Sequence, residues 1–168
     1  MANGPKTEQN LKTAFAGESQ ANRKYLAFAK QAEEEGFPQV AKLFRAAAEA
    51  ETVHAHNHLR VLGGIRSTRD NLMEAIGGES YEFTDMYPAM IAAAEAEGST
   101  DALRSFQDAN AVERIHAGLY QKALESLGKG EEGFAYYVCP VCGNTVERGA
   151  PDTCPICGTK GSLFMRIG

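Results

Sequence analysis

Two tetrapeptides, Glu51-Thr52-Val53-His54 and Glu113-Arg114-Ile115-His116, constrain this chain more than any other feature. In each, a carboxylate and an imidazole stand three residues apart, which on a helix of about 3.6 residues per turn brings both side chains to one face. That is a metal-ligand spacing. One such pair arises readily on a solvated helix face. Two pairs, each set in a stripe that is otherwise apolar, call for compensation, because an ionised carboxylate buried alone costs several kcal/mol.

The helices that carry these pairs can be read in order. Residues 6–35 form an amphipathic pattern in which Leu11, Ala14, Glu18, Asn22 and Tyr25 fall at helical spacing, so Glu18 lies within a mostly apolar stripe. Gly36 stops this helix and Pro38 starts the next, residues 38–62, closed by Gly63-Gly64. Its inner stripe is Val40, Leu43, Phe44, Ala47, Glu51, His54, His58 and Leu62. His58 follows His54 by one turn and reads as core or as a neighbour of the ligands, whereas His56 reads as exposed. Ser67 is a cap signal for residues 67–76, a short helix or the first turns of a third one, with Gly77-Gly78 expected to interrupt or kink it. The third long helix carries Glu79, Glu82, Phe83, Met86, Met90 and Ala93, and Pro88 is expected to bend it. After Gly98, with Ser99 or Thr100 as cap, a fourth helix over about 100–127 has the stripe Leu103, Phe106, Asn110, Glu113, His116, Tyr120 and Leu124.

A repeat runs through these helices. Gly17-Glu18-Ser19 recurs as Gly78-Glu79-Ser80 at an offset of 61, while Glu35-Gly36, Tyr25 and the Glu51/His54 pair recur as Glu97-Gly98, Tyr87 and Glu113/His116 at an offset of 62. One residue is therefore inserted between Glu79 and Tyr87, in the stretch that also adds Glu82. The insertion predicts a π-bulge that turns Glu82 toward the cluster. Two helix pairs make a four-helix bundle. One Glu from each of two helices plus a Glu-x-x-His from each of the other two is the ligand plan of ferritin-like di-iron proteins, matched by Glu18, Glu79, Glu51 with His54 and Glu113 with His116. Two divalent ions would balance the charges of Glu18, Glu51, Glu79 and Glu113. Mixed carboxylate and imidazole ligation suits iron or manganese, and zinc can also occupy it. Tyr25 and Tyr87, on the same faces, read either as hydrogen-bond donors to the carboxylates or as plain core packing.

Composition excludes other classes. A net charge of -5, from 22 acidic and 17 basic residues, gives no basic footprint for nucleic acid. No run of 18 apolar residues predicts a membrane span, and the opening Met1–Lys6 has no apolar core of a signal segment, so a cytoplasmic location is expected. The four cysteines form two Cys-Pro-x-Cys-Gly knuckles, Cys139 with Cys142 and Cys154 with Cys157. In a reducing compartment these are metal ligands rather than disulfides, and four thiolates suit iron or zinc alike. The polar, glycine-rich run Gly128–Gly133 separates the two parts, giving a bundle over 1–130 and a metal domain over 134–168 whose first strand is 134–138.

The chain as a whole resembles the rubrerythrin family. The likeness rests on residues 14–21, Glu51 with His54, Gly78–Phe83, Asp85–Pro88, Glu113 with His116 and the two cysteine knuckles. It implies an all-α, ferritin-like four-helix bundle with a small C-terminal rubredoxin-like β/loop domain. It further implies two irons on Glu18, Glu51, His54, Glu79, Glu82, Glu113 and His116, and a third on Cys139, Cys142, Cys154 and Cys157, where zinc is a possible substitute. The activity implied is that of a peroxidase acting on hydrogen peroxide, in which one iron exchanges Glu82 for His54 on reduction. Electrons would come from NAD(P)H through a separate rubredoxin or reductase, and the protein would be a homodimer. A ferritin-like ferroxidase would use the same bundle but gives no reason for a cysteine centre.

Overall fold

The computed structural model describes residues 4–130 and 133–168; Met1–Asn3 of the opening segment and Glu131 and Glu132 of the glycine-rich connection lie outside them. The chain divides into two compact units, Met1–Arg66 and Ser67–Gly168.

The first unit is a helical hairpin of α1 (Pro5–Glu34) and α2 (Pro38–Val61). The turn closes as the sequence predicts. The Gly36 N–H donates to the Glu33 carbonyl and the Phe37 N–H to Ala32, satisfying carbonyls that the end of α1 leaves open. Alanine forms the seam. Ala29, Ala32 and Ala41 cluster with Phe44 against them, and Ala48 and Ala55 continue the line at seven-residue intervals. This corrects the expected inner stripe, because Val40, Leu43 and the candidate ligand His54 are exposed. An alanine seam lets two backbones approach closely, and the larger residues are left on the flank.

Asn22 is buried in that seam, where its amide donates to the Ala48 carbonyl at 2.7 Å and to the Thr52 hydroxyl at 2.8 Å. These bonds fix the height of α1 against α2 one turn from Glu18. Asn22→Ala is expected to lower stability by about 1–3 kcal/mol through loss of the two buried hydrogen bonds that its amide gives to the Ala48 carbonyl and the Thr52 hydroxyl, read by urea denaturation of the full chain.

The second unit begins at Ser67, whose hydroxyl accepts the Asp70 N–H at 3.2 Å and so caps α3 (Thr68–Tyr81). The helix runs through Gly77 and Gly78 without the interruption expected there. Each glycine costs only about 1 kcal/mol in a helix interior, less than a capped and packed helix can absorb. A π-helical segment follows at Glu82–Met86, where the insertion in the repeat places it, and its register is set by the Tyr87 N–H donating to the Glu82 carbonyl. Then comes α4 (Tyr87–Glu97), which continues directly from the π segment with Pro88 as its second residue. The Arg114 guanidinium lies 5.3 Å from the Phe83 ring centre and ties the π segment to α5 (Thr100–Ser126). Ser99 occupies the cap position of α5 without a side-chain cap bond.

Beyond α5 lies a three-stranded antiparallel sheet in the order β2-β1-β3, with β1 at Tyr136–Val138, β2 at Thr145–Glu147 and β3 at Met165–Ile167. Its core is Cys139, Cys154 and Phe164, with Tyr137, Val146 and Ile156 against them. Lys122 pairs with Glu147 and joins β2 to α5. Among the described residues no helix is long and apolar enough to cross a membrane.

Candidate functional site

Helical spacing and helix pairing together produce two matching groups of ligands. In the hairpin, Glu18 of α1 meets Glu51 and His54 of α2; in the second unit, Glu79 of α3 meets Glu113 and His116 of α5. Within each trio the donor atoms all lie within 4.8 Å of one another. The internal repeat extends to atomic detail, since His54 Nδ1 stands 2.9 Å from Glu51 Oε2 and His116 Nδ1 stands 2.8 Å from Glu113 Oε2. Glu79 Oε1 is 3.7 Å from His116 Nδ1.

The second trio can be tested for fit to a cation. His116 Nε2 is 3.0 Å from the Thr145 hydroxyl oxygen, and that hydroxyl gives its own hydrogen to the Gly143 carbonyl at 3.0 Å. Nε2 therefore carries the ring proton, and in the neutral imidazole Nδ1 presents a lone pair to the lone pairs of Glu113. A bound metal ion, or a second proton on the ring, makes that approach favourable. A ring nitrogen aimed at carboxylates while the other donates to a fixed acceptor is the arrangement of a metal-ligating histidine. The carboxylates tell the same story. Burial, then a hydrogen bond to Glu113 and its charge, push Glu79 up to about 7 against the pull of His116. Glu82 is raised as well, by burial and by Glu113.

Glu82 does not join the Glu79, Glu113 and His116 trio, although Glu113 and His116 both act on it electrostatically. Tyr87 packs against Phe106, and its pKa is raised by burial and then by Glu82, Glu113 and Glu79, which places it beside the carboxylates. Tyr25 lies in an aromatic group with Phe28 and Phe44. His56 is exposed and His58 half-buried, and neither enters a ligand group among the described residues. Thr145 is the contributor that sequence reading misses: it is 29 residues from His116, and no local pattern connects them. Tyr120 stands in the predicted stripe but carries no predicted role, and its pKa is raised by burial, Glu79 and Glu113. A cavity of about 320 Å³ opens beside His116, lined by Leu72, Leu119, Tyr120, Tyr136 and Thr145.

The four cysteines converge in a third group. Cys139 and Cys157 sulfurs are 3.6 Å apart, as are those of Cys142 and Cys154. Metal–sulfur bonds of about 2.3 Å in a tetrahedron place sulfurs about 3.8 Å apart, so the thiols fit one ion. Each knuckle turns on a glycine in the left-handed region, Gly143 at φ 82° and Gly158 at φ 78°, whose N–H returns to the carbonyl of Cys139 or Cys154. Burial opposes ionisation of Cys157, but the Thr159 hydroxyl and N–H together with Cys142 and Cys139 hold its pKa down to about 6. Burial drives Cys142 the other way. The buried Asn144 amide points at the Cys154 sulfur, 3.7 Å away.

Two carboxylate–imidazole trios and a four-thiolate site on one chain define a non-haem metalloprotein with two kinds of metal centre. The family model for rubrerythrin matches residues 9–124, and that for the rubrerythrin rubredoxin-like domain matches residues 137–165. The chain is similar to rubrerythrin-2 of Clostridium acetobutylicum, 36% identical over 175 residues covering 95% of each chain. It is also similar to nigerythrin of Nitratidesulfovibrio vulgaris, 35% identical over 172 residues covering 94% of this chain and 85% of the other. The solved structure of nigerythrin in its fully reduced, all-ferrous state matches with a TM-score of 0.60 and 34% identity, over 99% of this chain and 89% of that one. The chain belongs to the rubrerythrin family. Its fold is thus of the all-α, ferritin-like four-helix class with a small rubredoxin-like β/loop domain. Its cofactors are a di-iron carboxylate site and a rubredoxin-like four-cysteine iron site, and it is an oxidoreductase of the oxidative-stress type.

Proposed function

We propose that this chain is a di-iron peroxidase that reduces hydrogen peroxide to water with electrons passed through its Fe(Cys)4 centre. The observation that carries the reading is the link between the two kinds of site within one unit: His116 Nε2 to Thr145, and Thr145 to Gly143 in the knuckle of Cys139 and Cys142. A ferroxidase has no use for that connection. Bound at Glu18, Glu51, His54, Glu79, Glu82, Glu113 and His116, the iron pair would supply the two electrons that, with two protons, turn one peroxide into two waters. Cys139, Cys142, Cys154 and Cys157 would hold the third iron. In this reading residues 1–130 form the di-iron domain and residues 134–168 the electron-entry domain of a cytoplasmic homodimer. Electrons would originate in NAD(P)H and arrive through a rubredoxin or reductase.

The protein's own groups prepare this chemistry. Burial and nearby carboxylates keep the phenols of Tyr87 and Tyr120 protonated, so each retains a hydrogen to donate toward the cluster. The cavity lined by Leu72, Leu119 and Tyr120 gives a small oxidant room beside His116. Glu82 and His54 would serve one iron in turn, the carboxylate when the site carries more positive charge and the neutral imidazole when it carries less. Thr145 orients His116, so Thr145→Val, which keeps the volume and removes the hydroxyl, is expected to weaken iron binding at the trio about 10–100-fold. Iron retention under graded chelator would measure it.

The reading is tested by reducing the protein anaerobically and adding hydrogen peroxide stepwise while following the ferric-thiolate colour, with iron and zinc assayed in parallel. The colour is expected to return at one peroxide for every two ferrous ions. A zinc-filled cysteine site, with helices that oxidise only under oxygen and deposit excess iron, would replace this reading with a ferritin-like one.

A further inference from the structure

Two histidines that follow His54 on α2 have no part in the proposed iron site, and one of them, His58, stands one turn further along the same face. We infer that His54 and His58 together bind a divalent cation of the first transition row, and that this ion withholds His54 from the iron pair. The binding half of the inference stands on the hairpin by itself. The inhibitory half rests on the di-iron reading, in which His54 serves an iron.

The two copies of the Glu-x-x-His pair differ in how the ring is held. His116 gives its Nε2 hydrogen to Thr145, which leaves Nδ1 as the lone-pair nitrogen facing Glu113. His54 has no counterpart of Thr145. Among the described residues nothing bonds its Nε2, and the ring is held through Nδ1, 2.9 Å from Glu51 Oε2. A neutral ring in that position takes the tautomer whose Nδ1–H donates to the carboxylate, because the other tautomer sets lone pair against lone pair. Nε2 is then the basic nitrogen. An imidazole that gives one N–H to a carboxylate and turns its other nitrogen outward is built as a metal ligand, the carboxylate fixing the ring and raising its basicity.

Nε2 lies across the ring from the nitrogen that faces Glu51, and the His54 side chain is 55% exposed, so an ion can reach it. His58, half-buried, supplies the second donor. Residues four apart on a helix have Cβ atoms about 5–6 Å from each other, the spacing of the two histidines in His-Glu-x-x-His metal helices. A helical side chain leans over the turn N-terminal to its own Cα, which carries the His58 ring back toward His54. His58 is not part of the Glu18, Glu51 and His54 group, and the new site is on the opposite edge of the His54 ring from that group. His56 is turned about 200° round the helix from His54 and cannot share it. The second half of the repeat offers no such pair, because Tyr120 stands four residues after His116. Two imidazoles suit zinc, copper or nickel, whereas calcium and magnesium take oxygen. The two uses of His54 exclude one another: with a hydrogen on Nδ1 and a cation on Nε2, the ring has no lone pair for iron, and the turn from Glu82 to His54 is blocked.

Zinc is the probe, added to the full chain with its iron sites filled and oxidised. Wild type is expected to take up one further zinc per chain, with iron retained and peroxide turnover falling as zinc binds. His58→Ala is expected to weaken that uptake about a hundredfold or more, the loss of one arm of a chelate, and to raise the zinc needed for half-inhibition by the same factor. His56→Ala should match wild type in both. Copper(II) in place of zinc should show two imidazole nitrogens by electron spin-echo modulation in wild type and one in His58→Ala. Unchanged affinity in His58→Ala, a loss that appears in His56→Ala, or a single imidazole in wild type would overturn the inference, and the wild-type copper signal decides even if His58→Ala fails to fold. Zinc that binds through His58 without slowing turnover, or that slows it only by displacing iron, would overturn the inhibitory half. A chain whose helices hold no iron would remove the di-iron reading instead, and zinc uptake dependent on His58 would still uphold the site.

Discussion

Glu113→Ala is expected to empty the helical iron site and lower peroxide turnover by at least about a thousandfold, a loss on the scale of removing a member of a catalytic unit. Glu113 is the group against which both its neighbours are set. It lies 2.8 Å from His116 Nδ1, and it is the main side chain holding the Glu79 pKa up. Without it, Glu79 and His116 remain 3.7 Å apart as a pair, with one anionic donor fewer to balance a ferrous ion. The same change should not destabilise the metal-free chain, because it relieves repulsion between Glu79 and Glu113. That opposition of signs separates a ligand from a structural residue. Iron content, turnover and the melting temperature of the chelated protein would check it together. A metal-free variant that melts well below metal-free wild type, with iron still bound, would show that Glu113 supports the fold instead.

How much of this was legible in the sequence depends on how local each relation is. Glu51 with His54 and Glu113 with His116 are set by helical pitch alone, and the cysteine knuckles are turns of a few residues, so all of them can be read without a structure. The π segment at Glu82–Met86 was readable for a different reason: one inserted residue in a repeated helix must go somewhere, and the slip from 61 to 62 located it. The alanine seam was not readable. Val40 and Leu43 satisfy helical periodicity as well as Ala41 and Ala48 do, and only the close approach of α1 decides which face is covered. Gly77 and Gly78 misled because a local cost was read without the cooperative helix that absorbs it. Thr145 belongs to a contact between a helix and a strand far away in the chain, a relation that periodicity does not encode. The limit is therefore one of range: ligand spacing within an element survives in sequence, and what orients a ligand from outside its element does not.

The cysteine domain should depend on its metal more completely than the helices depend on theirs. Residues 133–168 surround a core of Cys139, Cys154 and Phe164, and below about 40 residues a fold of this kind is rarely stable on apolar burial alone. Metal binding contributes about 10–16 kcal/mol of folding free energy in small four-ligand zinc domains. Cys154 is only 2% exposed and lies at the centre of this core, with the Asn144 amide directed at its sulfur. Cys154→Ser is accordingly expected to abolish the ferric-thiolate colour and open the C-terminal domain to protease. The helical circular dichroism should survive, since α1–α5 make their own contacts. The helical iron should still load from excess ferrous iron, about 10–100-fold more weakly once Thr145 no longer orients His116, and react once with peroxide when reduced chemically. Turnover driven by NAD(P)H and a reductase should nevertheless fall by at least about a hundredfold, a loss of some 2.7 kcal/mol in apparent barrier. Equal losses of chemically driven and reductase-driven turnover would mean that the domain holds the helical site together through Thr145 and His116 rather than feeding it electrons.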